Sequence, residues 1–321
     1  MRRNPLISRA RRISARALLP YLRGELPGWG YMLRGVGLLD DGYWRGAPTK
    51  QLRGKLHGYR MTLDLSNWSE RQTYFLGRFY DLPTQLLVRA ALRPGDTFID
   101  VGGHVGMVTL LAARCVGETG RVHTFEPNPV AFARLSEHVR INSLGNVHLH
   151  NMALGDEPGE CTLTVVGNHT GVGTLAPIVR SNGKALVTTH RALVARGDDA
   201  LSDLPAAPLM MKIDVEGFEC RVLKGFRNLL SGGRALVVTE TVDVHLQRAG
   251  TSKAELFTVM QGYGYRPFAL STGRSGFHRR RLNLTPIVSA ADSQAKNVAW
   301  LIPGGEHQHR LRDIITTDSS S

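Results

Sequence analysis

Cysteine is scarce in this chain: Cys115, Cys161 and Cys220 are the three among 321 residues. Odd in number and widely spaced, they build neither a disulfide framework nor a zinc-ligand set, and they suit a reducing compartment. No apolar run approaches the roughly 18–20 residues that a membrane-spanning helix requires. Nor is the chain poor enough in apolar residues to stay unfolded: they make up 42%, against 21% charged, which supports a packed core. Glycine is plentiful, at 35 residues against 15 prolines, but shows no three-residue period.

Acidic residues are nearly missing from the first 60 positions, where thirteen Lys and Arg face only Glu25, Asp40 and Asp41. The remaining residues balance 27 basic against 24 acidic side chains. The net charge of +13 therefore belongs to an extension, residues 1–60, and the near-neutral body lacks the basic face of a nucleic-acid-binding core. On a helical wheel Leu6, Ala10, Ile13 and Ala17 share one side, with Arg9, Arg12 and Arg16 on a flank. Residues 1–23 are thus a candidate for peripheral contact with an anionic membrane surface, or a leader with solvated arginines. Arginines interrupt any secretory apolar region, so the expected location is cytoplasmic, with membrane contact peripheral. Residues 24–58, rich in glycine and aromatics, read as loop.

From about residue 95 strand and helix patterns alternate. Thr97–Val101, Arg121–Glu126, Asn146–Leu154, Leu209–Val215 and Ala235–Glu240 read as strands. Helical stretches are expected at 105–116, 129–141, 218–230 and 252–262. YRPFAL and NVAWLIP follow as final strands with no helix between them. This order predicts a doubly wound α/β fold with a mostly parallel sheet and a closing antiparallel strand. A body over residues 61–305 and a polar tail over 306–321 complete the expected organisation.

Ligands bind such sheets at the carboxyl ends of the strands, where strand order reverses. The first strand ends in Asp100-Val-Gly102-Gly103-His104-Val-Gly106 and the second in Phe125-Glu126-Pro127-Asn128. A glycine turn admits a ligand to bare backbone, and an acid at the second strand end can accept from both ribose hydroxyls. A nicotinamide dinucleotide needs G-x-G-x-x-G, and His104 stands where the second glycine should be. Asp100 also suits an ammonium-bearing ligand better than a diphosphate.

The segments GDTFIDVGGHVGMVTLLAA, GRVHTFEPNPVAFARL, NVHLHNMALGDEPGE and LMMKIDVEGFECRVLKGF resemble the FkbM family of S-adenosylmethionine-dependent methyltransferases, over about residues 60–303. KIDVEG with an acid two residues on carries most of the resemblance. The family's loop usually reads alanine-asparagine where Gly103-His104 stand; glycine is a small change, whereas histidine alters the contacts of its position. The resemblance implies a class I, Rossmann-like fold and S-adenosylmethionine as cofactor. It implies that Asp100, Gly102, Gly103 and Gly106 cradle the methionine portion. Glu126 would hold the ribose, with Pro127 and Asn128 walling the adenosine, and Ala153, Leu154 and Asp156 would lie near adenine. Asp214 and Glu216 would face the sulfonium and an acceptor.

An alcohol acceptor must lose a proton, which nominates Asp214 or Glu216 as base with His104 and His245 in reserve. Glu216 could instead be a helix N-terminal carboxylate, and Lys212 and Glu240 either contact substrate or make structural ion pairs and hydrogen bonds. His148 and His150 share a strand face without a third ligand, so no metal is expected. Asp198-Asp199 reads as a helix-start cap. Arg274 and Arg279, Arg280, Arg281 form a basic cluster, solvated or facing an acidic acceptor. Three function classes follow. The first is methylation of a hydroxyl on a sugar, glycan, lipid or polyketide-type molecule. The others are an NAD(P)-dependent oxidoreductase and a non-catalytic membrane-associated scaffold.

Overall fold

A computed structural model describes residues 5–166, 173–174, 187–275, 279–291 and 293–316. The side chains of Leu6, Arg9, Arg274 and Arg279, parts of the expected strand-and-turn region (167–172, 175–186) and the end of the tail lie outside them. The chain divides into two units, Met1–Leu82 with Arg274–Arg280, and Pro83–Gly273 with Arg281–Ser321. The first boundary falls at Leu82, not residue 60.

The first unit is not loop. Four helices, α1 (Pro5–Ala17), α2 (Leu19–Arg23), α3 (Trp29–Gly35) and α4 (Asp41–Trp44), precede an antiparallel pair, β1 (Thr49–Arg53) and β2 (Arg60–Asp64), and helix α5 (Trp68–Leu76). Ala15, Leu22, Leu33, Leu38, Trp44 and Phe75 pack into its core. The centre is charged: Arg71 is fully buried, donating to the carbonyls of Leu38 (2.6 Å) and Leu65 (3.0 Å) and pairing with Asp41 at 2.6 Å. One guanidinium thus satisfies groups from three segments, the condition under which a buried charge is tolerated. On α1 two arginines bond carbonyls of later segments, Arg11 that of Gly35 and Arg12 those of Tyr43 and Arg45. Ala10, Ile13 and Ala17 are exposed.

The second unit begins with α6 (Leu82–Ala91, all but its first residue) and β3 (Thr97–Val101). There follow α7 (Met107–Val116), β4 (Arg121–Phe125), α8 (Pro129–Ile141) and β5 (Val147–His150). The strand expected over 146–154 breaks after His150. Its second half, β6 (Ala153–Gly155), joins β7 (Gly159–Val166), β8 (Gly173–Thr174) and β9 (Val187–Arg196) in a separate four-stranded sheet ordered β6-β9-β7-β8. Then come α9 (Gly197–Ala200), β10 (Leu209–Ile213), α10 (Glu219–Lys224), α11 (Arg227–Ser231) and β11 (Ala235–Glu240). Last are α12 (Asp243–Arg248), α13 (Lys253–Gly262), β12 (Arg266–Ser275), β13 (Arg279–Pro286), β14 (Asn297–Leu301) and α14 (Glu306–Leu311).

The main sheet runs β13-β12-β14-β11-β10-β3-β4-β5. Strands β5, β4, β3, β10 and β11 are parallel, and β14 inserts antiparallel between β11 and β12. This is the expected doubly wound, Rossmann-like fold with its closing antiparallel strand; β13 extends its edge. Every residue of β3 and β10 is buried, which is why both read as continuous runs and not as alternating patterns. Strand order reverses between these two. In a doubly wound sheet this reversal marks the crevice at the carboxyl ends of the strands as the place where a ligand is expected.

Two expectations for surface segments change. Asp198 does not cap its own helix: its carboxylate accepts from the amides of Asn228 and Leu229, at 2.8 and 3.1 Å, at the start of α11. Residues 306–311 are helix α14 and not tail, with His307 buried against the Leu209 carbonyl at 2.9 Å.

Candidate active site at the strand tips

The loop after β3 and the loop after β10 touch through their backbones. Gly102 has φ +83°, and a Cβ there would lie 2.0 Å from the Asp214 carbonyl oxygen. Only glycine meets both requirements. A Cβ on Gly103 would lie 2.2 Å from Cγ2 of Thr124. Gly106 forms the N-cap of α7, so the loop delivers its chain to a helix N-terminus at the crevice.

Glu126, at the tip of β4, is 7% exposed. Its carboxylate accepts from the His104 amide at 2.7 Å and the Asn128 amide at 2.8 Å, clamping the glycine loop to the second strand. Burial still outweighs these two bonds and pushes it up to about 7. Asn128 caps α8 by accepting from the Val130 amide at 3.0 Å, and Pro129 takes the first helical position, where no N–H is needed. Pro127 is half-buried between them. Asn151, which the sequence did not single out, donates to the Glu126 carbonyl at 2.8 Å. That bond fixes the break between β5 and β6.

Asp100 does not face the crevice. It is fully buried, accepting from the Thr109 hydroxyl at 2.7 Å and from Lys212 Nζ at 3.3 Å. Lys212, its register partner on β10, also reaches the Gly102 carbonyl at 3.2 Å and Asp214 at 3.4 Å. Burial alone would lower the lysine, but the two carboxylates overcome it and hold it above its usual value. Asp100 and Lys212 thus tie the glycine loop to Asp214. Asp214 is the open member, with its side chain 37% exposed.

Three further groups converge beside it. Glu216 has φ +55°, a left-handed conformation that costs a non-glycine residue energy. Glu219, at the start of α10, holds that turn: one oxygen accepts from the amides of Val215 and Gly217, at 3.1 and 3.2 Å on either side of Glu216. The helix-start carboxylate is thus Glu219, the second acid of the KIDVEG-x-E pattern, and Glu216 is presented elsewhere. His245 Nδ1 lies 3.1 Å from Glu216 Oε2 and 3.0 Å from Glu240 Oε2. Burial and the charge of Glu240 push Glu216 up to about 7, while the bond to Glu240 raises His245.

Burial, with the charges of Arg134 and Lys212, pushes His104 down to about 3, so the ring is neutral and binds a proton weakly. Ala153 and Leu154 are buried in β6, paired with Val194 and Ala195, and Leu154 packs in the core with Phe226. Asp156, partly exposed, lies 4.0 Å from Arg221.

The sequence matches the Methyltransferase FkbM domain over residues 100–267. It is 30% identical over 201 residues to 31-O-demethyl-FK506 methyltransferase FkbM of Streptomyces tacrolimicus, covering 54% of this chain and 74% of that protein. It is 30% identical over 149 residues to hexuronic acid methyltransferase AglP of Haloferax volcanii, covering 44% of this chain and 55% of that one. A solved FkbM methyltransferase from Methylobacillus flagellatus aligns at 14% identity with a TM-score of 0.38, covering 68% of this chain and 54% of that chain. Methyl transfer, and not hydride transfer or a non-catalytic scaffold, is the activity of this domain. The chain belongs to the FkbM family of S-adenosylmethionine-dependent methyltransferases.

Proposed function

We propose that this protein methylates a hydroxyl oxygen of a sugar, glycan, lipid or polyketide-type acceptor. Two relatives support an oxygen-rich acceptor, one named for an O-demethylated FK506 and the other for hexuronic acid. The observation that carries the reading is the gathering of Glu216, Glu240 and His245, from the loop after β10, the tip of β11 and helix α12, near Asp214, whose backbone abuts the glycine loop. An alcohol needs a proton acceptor as it becomes a nucleophile, and these groups supply one within reach of a single crevice.

The residues fit S-adenosylmethionine. The loop at Gly102 and Gly103 leaves bare backbone at the crevice, and each Glu126 oxygen holds one amide and keeps acceptor capacity for a ribose hydroxyl. When bound, the cofactor supplies a methyl group already activated by positively charged sulfur. The protein's own tasks are alignment and proton removal. Holding the acceptor oxygen in line behind the methyl carbon can contribute several kcal/mol, up to about 7–11 in the best-oriented cases. Asp214, the most open of these carboxylates, takes the hydroxyl proton, while Lys212 fixes its position from behind. A cytoplasmic location belongs to the same proposal, as does peripheral membrane contact through α1, on which Ala10, Ile13 and Ala17 are exposed.

Incubation with methyl-labelled S-adenosylmethionine and a panel of uronic acids, hexoses and hydroxylated macrolides tests this. Label is expected in an acid-stable methyl ether, with Asp214→Asn slowing transfer at unchanged cofactor affinity. Label recovered only on nitrogen or sulfur would dismiss the reading.

A further inference from the structure

We propose that Glu216, Glu240 and His245 form a binding site for one divalent cation, which presents the acceptor's hydroxyl to Asp214. The three side chains come from the loop after β10, the tip of β11 and helix α12, and their ligand atoms all lie within 4.8 Å of one another.

Hydrogen bonding alone leaves this group unsatisfied. Two carboxylate oxygens approach the same ring nitrogen, at 3.0 and 3.1 Å, and one N–H serves one of them. The bond to Glu240 has acceptable geometry. Glu216 Oε2 is sealed from solvent and makes no hydrogen bond among the described residues. Native proteins rarely leave a buried carboxylate oxygen so. A second acid shares the condition: Glu219 is 1% exposed, its Oε2 has no hydrogen-bond partner among the described residues, and it stands close enough to Glu240 for their charges to oppose each other. Asp214 adds to the same excess of negative charge.

A metal ion resolves the arrangement. Donors bound at about 2.1 Å in adjacent positions of an octahedron lie about 3.0 Å apart, which matches the two nitrogen–oxygen separations. With its proton gone, Nδ1 becomes a ligand, and both carboxylates turn from competitors for one hydrogen into ligands of one ion. Two oxygens and an imidazole nitrogen suit Mg²⁺, Mn²⁺, Fe²⁺ or Zn²⁺ and leave coordination positions open. The chain also holds the ligands in place. The left-handed turn at Glu216 is pinned by Glu219, and a Cβ on the next residue, Gly217, would lie 2.2 Å from the His245 carbonyl oxygen.

The cation's role with the acceptor rests on the O-methylation reading; its binding does not. Open positions on the ion would take two neighbouring acceptor oxygens, a vicinal diol or a hydroxyl beside a carboxylate, and coordination makes the hydroxyl easier to deprotonate.

The full-length protein, stripped with chelator, is titrated with Mn²⁺ and free ion is followed by electron paramagnetic resonance. One Mn²⁺ per chain is expected, weakened at least tenfold by Glu240→Gln and by His245→Asn, and unchanged by Glu306→Gln on α14. Two substitutions on different elements guard against a folding failure in either, and circular dichroism reports the fold of each. Absence of Mn²⁺ binding by the wild-type chain, or binding that both folded variants retain, overturns the site whether or not an acceptor has been found. Methyl transfer to a diol that withstands chelator overturns the cation's role with the acceptor.

Discussion

Gly103 and Thr124 occupy one volume: a Cβ on the glycine would stand 2.2 Å from the threonine methyl, while its other neighbours would be at ordinary contact distance. An alanine at this position would thus crowd the threonine on β4. Thr124 is fully buried and its hydroxyl bonds Thr109, which in turn holds Asp100. Gly103→Ala is expected to destabilise the protein by about 1–3 kcal/mol through overpacking. Thr124→Ser keeps the hydroxyl and removes the methyl, at about 1 kcal/mol alone. In the double variant the costs should not add. Urea unfolding of the four proteins measures the coupling, and simple additivity would show that the two positions do not share space.

The parallel half of the sheet was legible because its strands are buried on both faces: Thr97–Val101 and Leu209–Ile213 stand out as short runs bounded by Gly and Pro or by acids. Helix α8 was legible from its local signals, an Asn cap and a Pro. What escaped depends on contacts distant in sequence. The first unit is held by Arg71 reaching the Leu38 carbonyl 33 residues away, and its four-to-seven-residue helices α2 to α4 carry too few turns for a periodic pattern. The break at Asn151 has no local signature, since the side chain that fixes it bonds the Glu126 carbonyl. Acids at the strand tips were readable, but not which of them face outward. Asp100 and Asp214 flank the same lysine, and only the fold buries the first and opens the second.

Cofactor affinity should depend on pH through Glu126. Burial holds its carboxyl up to about 7, so it is largely protonated at pH 6 and ionised at pH 8. The ionised form is the stronger acceptor for ribose hydroxyls, so binding favours it and releases a proton at intermediate pH. Affinity for S-adenosylmethionine is expected to rise severalfold from pH 6 to 8, and Glu126→Gln should flatten that dependence. Calorimetry in buffers of different ionisation enthalpy reads both effects. An equal slope in the variant would assign the titration to another group.

Lys212 separates a positioning role from a substrate contact. Its ammonium is 8% exposed between Asp100 and Asp214, which are 1% and 37% exposed. Lys212→Met strands the buried Asp100 charge and should cost about 3–5 kcal/mol. Pairing it with Asp100→Asn removes that charge and should return part of the loss. Denaturant midpoints of the single and double variants decide the question. A Lys212→Met protein of wild-type stability that had lost only acceptor affinity would make the lysine a substrate contact.

Acid should loosen the protein through His307. The ring is 4% exposed, with Nε2 donating to the Leu209 carbonyl and Nδ1 buried without a partner among the described residues, so a second proton has nowhere to be solvated. Burial, reinforced by the charge of Arg310, pushes the group down to about 4. Because the folded value lies below the unfolded one of about 6.5, the stabilisation is fully present above pH 6.5. It is lost as the pH falls toward 4, by about 2–3 kcal/mol. Raised acids such as Glu126 oppose this slope, so the wild-type profile alone is not diagnostic. His307→Gln isolates the effect, since glutamine can keep the bond to Leu209 and does not titrate. The stability gap between wild type and variant should shift in the variant's favour between pH 7 and pH 4.5. A gap that stays constant would mean that α14 opens locally and lets the ring reach water before the rest of the fold yields.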